Sequence, residues 1–134
     1  MSEAAVLHPV TSPEIQVLGP YSPAVRVGGL VFLSAQTGVD PQTGAVPDGP
    51  FEAECRQAFT NLERVLRVAD SRLDLVAKVT VLYTDLADLG TLNAVFAEVF
   101  PENPPARTAA VVTLPGGRRI SVDAIAAAGP GAQG

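Results

Sequence analysis

Apolar positions along the chain change period several times, and each change marks an element. Residues 24–35, AVRVGGLVFLSA, hold two β runs around Gly28-Gly29, where glycine supplies the positive φ of a tight hairpin turn. The stretch 40–50, DPQTGAVPDGP, is dense in turn formers and predicts a loop. From Phe51 the spacing becomes helical. Cys55, Ala58, Phe59, Leu62, Val65, Leu66 and Ala69 fall on one stripe, Glu52 and Glu54 sit in the first turn, where the helix dipole favours negative charge, and Asp70-Ser71 closes the element. Val76–Thr84 is rich in β-branched residues and predicts a strand. Asp85 and Asp88 offer N-caps for a second helix carrying Leu89, Leu92, Val95, Phe96 and Val99, which Pro101 stops. Two further β runs, Thr108–Leu114 and Ile120–Ala127, join at Pro115-Gly116-Gly117, with Arg118 and Arg119 expected at a hairpin tip.

This order, β-β, helix, β, helix, β-β, predicts an α+β domain with two helices on one face of a mixed sheet. Residues 1–14 read as a loosely ordered leading segment, 15–128 as one domain and 129–134 as a tail. The run Thr108–Leu114 is apolar on both faces, and so in large part is Val76–Thr84. Strands of that kind are covered on both sides. Two helices cover one side, so the other is expected to meet a second copy of the chain.

Composition narrows the chemistry. The 134 residues are 47% hydrophobic, which fits a single domain with its own core. One cysteine, Cys55, excludes a disulfide framework, and one histidine, His8, excludes a histidine-rich metal site or a Ser-His-Asp triad within one chain. A net charge of −5 opposes phosphate backbones, so no nucleic-acid partner is expected. Met1-Ser2-Glu3-Ala4 does not read as the start of a signal peptide. No apolar run approaches the roughly 20 residues that span a bilayer. No membrane contact and a cytoplasmic setting are expected.

What remains is a polar set in apolar surroundings. Arg107 follows Pro104-Pro105-Ala106 and opens an apolar strand without an acidic sequence neighbour. A guanidinium so placed can hold a planar carboxylate by two parallel hydrogen bonds; the plain alternative is an exposed or distantly paired arginine. Tyr21, in LGPYSPAV, either caps a pocket or packs on the surface. Ser34 ends a β run in FLSAQTG, where its hydroxyl either meets a ligand or caps the backbone. Cys55 lies on the apolar stripe and reads as inert core. His8 reads as a solvated tail residue.

Together the segments GPYSPAVRVGGLVFLSAQTGVDP, TLNAVFAEVF with its Asn93, and NPPARTAAVVTLPGGRRISVDAIA resemble the RidA/YjgF family of reactive-imine deaminases, from about Gly19 to Ala127. The combination of G-P-Y-S with P-P-A-R-T and L-P-x-G is specific, although each piece alone is weak. The resemblance implies a chorismate-mutase-like fold, a homotrimer with pockets at subunit interfaces, and hydrolysis of short-lived enamines or imines to 2-oxo acids and ammonia. It implies no metal and no organic cofactor. It assigns Arg107 to the carboxylate of a small metabolite, Tyr21 to closing the site, Ser34 and Ala35 to its wall, and Ala109 to a backbone contribution.

Three departures stand out. Ala35 replaces a glycine, and the interval from Arg107 to Leu114-Pro115 is one residue short. The position that carries a water-holding glutamate in deaminating members is Ser121, or Val122 when counted from Arg107. Asp123 lies one pleat further along the strand and stands as a weak substitute or a structural acid. The resemblance therefore leaves three readings: an imine deaminase, weakened at Ser121; a non-catalytic trimeric binding protein for small 2-oxo acids; and a ribonuclease, which the acidic charge opposes.

Overall fold

A computed structural model describes residues 5–130. Its elements are β1 (His8–Val10), β2 (Ala24–Val27), β3 (Leu30–Thr37), α1 (Phe51–Val68), β4 (Val76–Tyr83), α2 (Leu89–Val99), β5 (Ala106–Val111) and β6 (Ile120–Ala127). Single 3-10 turns at Leu73–Leu75 and Leu86–Asp88 lead into β4 and α2. The strands form one sheet in the order β1-β2-β3-β6-β4-β5, antiparallel throughout except for the parallel pair β4–β5.

The topology explains why both helices share a face. β3 and β4 each run antiparallel to β6, so they run parallel to one another with β6 between them. The chain is thus two successive β-α-β crossovers, β3-α1-β4 and β4-α2-β5, stepping the same way across the sheet. Right-handed crossovers stepping the same way place their helices on the same side. The helix stripe read from sequence meets Val31, Val79, Val81, Ile120 and Val122 from the strands to form the core. Phe59 of α1 packs edge-on against Phe96 and Phe100 at centroid separations of 5.9 and 6.2 Å, which locks the helices together.

The helix ends follow local chemistry. At the end of α1, Asp70 takes a left-handed φ of 59° and Ser71 donates its backbone N–H to the Leu66 carbonyl, a six-to-one closure of the last turn. Asp85 accepts the Ala87 N–H and caps the short turn ahead of α2, whereas Asp88 makes no capping bond with its side chain.

Two sequence expectations are corrected. Thr108–Leu114 and Ile120–Ala127 do not form a hairpin: β4 lies between β5 and β6, and Arg119 turns inward to an ion pair instead of sitting at a tip. The leading segment contains β1, paired to β2 from His8↔Arg26 to Val10↔Ala24, with Val10 buried. A three-residue edge strand interrupted by Pro9 gives too little alternation to be read from sequence.

The sheet face away from the helices is open among the described residues, apolar around β2 and β3 and polar toward β4 and β5, where Lys78, Thr80, Thr108 and Asp123 lie. Leu30 and Phe32 are 43% and 40% exposed, and Val25, Val27, Leu82 and Ile125 beside them are only half-buried.

Candidate functional site

Pairing between β3 and β6 slips between Leu33 and Gln36, so Ser34 and Ala35 bulge out of the ladder. The bulge is held by Ser34, whose N–H donates to the Pro23 carbonyl and whose hydroxyl donates to the Ser22 carbonyl at 2.6 Å. Ser34 therefore fastens the Tyr21–Pro23 segment to β3. The capping role weighed for it is the one observed.

Beside the bulge opens a cavity of about 380 Å³ lined by Tyr21, Ala35, Gln36, Leu114, Pro115, Arg118 and Ser121, with residues 15–18 also in its lining. The Tyr21 ring lies 3.0 Å from where a Cβ on Gly19 would stand, so glycine there lets the ring fold back over the chain. Ile120 and Val122 point into the core, so Ser121 between them points to the other face and into this cavity. Ser121 is only 8% exposed. Arg118 is the single charged residue in the lining.

The wall behind Arg118 rests on a buried carboxylate. Glu54 is fully buried in the first turn of α1 and accepts both the backbone N–H and the Nε of Arg119 at 2.6 Å. Arg119 also donates to the Gly49 carbonyl, and Gly38 packs so closely on Glu54 that a Cβ would lie 2.2 Å from the Glu54 carbonyl oxygen. Asn61 adds a second fastening, donating to the carbonyls of Thr37 and Val39 while accepting from Gln57. These contacts join α1, the end of β3 and the start of β6. From the sequence Glu54 is legible only as a charge at the helix dipole, because nothing local reveals a partner 65 residues away.

Arg107 lies elsewhere. In β5 it is in register with Val79, so its side chain projects toward α2, where Nη1 donates to Asn93 Oδ1 at 2.9 Å. Its guanidinium stands 4.9 Å from the centre of the Phe96 ring, a cation–π contact. It forms no ion pair among the described residues and is exposed, as are Asn93 and Ala109, the latter one pleat along on the same face. Within one chain the sheet separates Arg107 and Ala109 from Tyr21, Ala35 and Ser121.

Asp123 sits in β6 opposite Thr80, on the open face near Lys78. Burial raises its carboxyl above the usual range, partly offset by Lys78. Cys55 is buried on the α1 stripe, and burial pushes its thiol up to about 12. Among the described residues no three His, Cys, Asp or Glu side chains converge on a metal-sized space, and no helix is long and apolar enough to cross a membrane.

The family model described as Endoribonuclease L-PSP matches residues 11–128, which is the whole sheet apart from β1, with both helices. The chain belongs to this family, the RidA/YjgF family. Among its RidA/YjgF relatives, the 2-iminobutanoate/2-iminopropanoate deaminases of Mus musculus and Homo sapiens are each 40% identical over 114 residues. That alignment spans 84% of this chain and 84% and 83% of theirs. A RutC family protein of Pyrococcus horikoshii is 39% identical over 81% of this chain and 87% of its own. Among solved structures, RidA from an Antarctic Psychrobacter superposes with a TM-score of 0.84 at 35% identity, covering 90% of this chain and 98% of that one. E. coli TdcF with bound serine gives 0.83 at 30% identity, covering 90% and 98%. The α+β architecture, a mixed sheet with two helices, is that of the RidA/YjgF structures.

Proposed function

We propose that the chain hydrolyses small 2-imino acids, such as 2-iminobutanoate and 2-iminopropanoate, to 2-oxo acids and ammonia, as a homotrimer of chorismate-mutase-like protomers. The observation that carries this reading is the divided site. One half offers the guanidinium of Arg107, in no ion pair among the described residues and oriented by Asn93 and Phe96. The other offers a cavity with hydroxyls from Tyr21 and Ser121 but no contribution from Arg107. The open apolar sheet face supplies the surface through which copies would meet, and two copies can set Arg107 of one against the cavity of the next.

The chemistry asks little of such a cleft. Water adds to the iminium carbon, the C–N bond of the resulting carbinolamine breaks, and ammonia leaves as the carbonyl forms. Arg107 holds the carboxylate by two parallel hydrogen bonds, which fixes the plane of the C=N bond. The Ser121 hydroxyl orients the water, Tyr21 closes the mouth, and Ala35 and the Ala109 backbone shape the walls. No carboxylate lines the cavity. A positioned base is worth on the order of 10²–10⁴-fold, so hydrolysis here runs slower than in a site that has one. No metal or organic cofactor enters, and a cytoplasmic setting goes with the reading. The ribonuclease reading finds neither an imidazole nor a carboxylate in the cavity to move protons.

That same missing carboxylate favours a second reading, a trimer that binds small 2-oxo acids without turnover. Semicarbazide trapping during amino-acid oxidase turnover separates the two. The deaminase lowers semicarbazone yield, and Arg107→Ala restores it. Unchanged yield with the wild-type protein refutes hydrolysis. Calorimetry with 2-oxobutanoate then reports whether binding remains, and a monomer in sedimentation refutes the shared site altogether.

A further inference from the structure

We infer that Arg118 forms a second anion subsite, so that the site takes short dicarboxylic 2-imino acids in preference to monocarboxylic ones. The inference rests on the proposed function. Arg118 is half-buried, the only charged residue lining the cavity with Tyr21 and Ser121, and in no ion pair among the described residues. Its backbone N–H donates to the Pro115 carbonyl, and the one hydrogen bond of its side chain among the described residues is a long donation from Nη1 to that same oxygen at 3.4 Å. A guanidinium has five N–H donors, so most of its hydrogen-bonding capacity is uncommitted.

The turn before Arg118 makes room for it. Gly116 and Gly117 both take left-handed φ angles, 67° and 71°, and a Cβ on residue 116 would stand 2.5 Å from Nη1. Any side chain at 116 would push the guanidinium away from its place over the turn. Glu14 and Asp40, which border an adjoining hollow with Arg118, do not reach it as ion pairs. On a protein of net charge −5, a cavity whose only ionised group is a cation selects anions locally against the field of the whole surface.

Placed against Arg107 of a neighbouring copy, the cavity gives a cleft with two guanidiniums, the hydroxyl-bearing residues Tyr21, Thr37 and Ser121, and no acid in its lining. A monocarboxylate neutralises one cation and leaves the other facing it. A dicarboxylate with two or three carbons between its acid groups, the imine carbon among them, neutralises both. The reaction stays balanced: the dicarboxylic iminium takes up water, the C–N bond breaks, and a 2-oxo dicarboxylic acid and ammonium leave. The reactions that supply such a substrate are oxidations of acidic amino acids at the α-carbon.

The test compares imines made in place by oxidases from aspartate and glutamate with those from alanine and 2-aminobutanoate, read by semicarbazone formation. Calorimetry with 2-oxoglutarate and 2-oxobutanoate runs in parallel. The wild-type protein favours the dicarboxylic member of each pair. Arg118→Leu lowers the dicarboxylate-to-monocarboxylate ratio by about tenfold or more, the scale of one charge-assisted hydrogen bond, and Arg118→Lys restores part of it. If no imine is hydrolysed but 2-oxoglutarate binding still depends on Arg118, the subsite stands and the deaminase reading falls. If monocarboxylic imines are hydrolysed and Arg118→Leu leaves the ratio in place, or no ligand shows a preference, the subsite is overturned.

Discussion

Arg119→Met is the sharpest perturbation of the scaffold that holds the site. It leaves Glu54 fully buried with one partner, the backbone N–H of residue 119, where it had two charge-assisted contacts at 2.6 Å. It also strips the Gly49 carbonyl of its donor. Arg119 itself keeps about a third of its side chain in water, so the cost falls on the carboxylate. Removing one partner of a buried ion pair costs about 3–5 kcal/mol, because an uncompensated charge stays behind. Domains of this kind are stable by roughly 5–15 kcal/mol, so the loss is a large fraction. With a urea m-value on the order of 2 kcal/mol/M, the unfolding midpoint falls by about 2 M, read by far-UV circular dichroism at several protein concentrations. Glu54→Gln added to Arg119→Met keeps an acceptor for the backbone N–H and removes the stranded charge. The double variant is more stable than Arg119→Met alone by about 1–3 kcal/mol. An Arg119→Met midpoint within about 0.5 M of wild type, with no recovery in the double variant, refutes the view that this pair carries the junction of α1 with β6.

Other expectations follow from single contacts. Gly38→Ala forces a Cβ against the Glu54 carbonyl, which belongs to the backbone of α1 and cannot swing aside; a loss of about 1–3 kcal/mol is expected in denaturant melts, and a neutral result contradicts the close approach. Cys55, its thiol pushed up to about 12 by burial, stays unlabelled by a disulfide exchange reagent at pH 8 and reacts at the rate of unfolding; prompt labelling of the native protein contradicts its burial. Asp123 has its folded-state carboxyl raised by burial, so its contribution to stability is present below the unfolded value and lost as pH rises through the folded one. Asp123→Asn therefore gains on wild type as pH climbs from 3 to 7, and a gain that shrinks over that range reverses the sign of the argument.

The helices and most strands are legible in the sequence because their signal is local: the apolar stripe of Phe51–Val68 and the β-branched run Val76–Tyr83 need no partner to be recognised. Pairing is not local. Nothing in Pro115-Gly116-Gly117 says that β4 will lie between the strands on either side, and a hairpin is the natural expectation from adjacency alone. The same limit governs the site. Arg107 and Tyr21 stand out by type and surroundings and Ser121 only through the family resemblance, but that Arg107 and Ser121 project from opposite faces follows only from the register of β5 and β6 on β4. Arg118 and Arg119 are neighbours in sequence with opposite fates, one lining a cavity and the other paired to Glu54, and alternation along β6 begins too late to tell them apart.

The division of the site and the openness of the sheet are two views of one topological fact. Inserting β6 between β3 and β4 fills the middle of the sheet and pushes β5 to its edge, where Arg107 projects toward α2 on the helix face. The same insertion leaves a broad face bearing Leu30, Phe32, Leu82 and Ile125 that no third layer covers among the described residues. On the proposed reading another copy covers that face, and each Å² of apolar surface so buried contributes about 25 cal/mol, while both helices stay committed to the opposite side. On the proposed reading, assembly and chemistry then share one cause. The contact that buries the face is the contact that can deliver a guanidinium to the cavity, so a copy without neighbours holds two half-sites and neither substrate geometry.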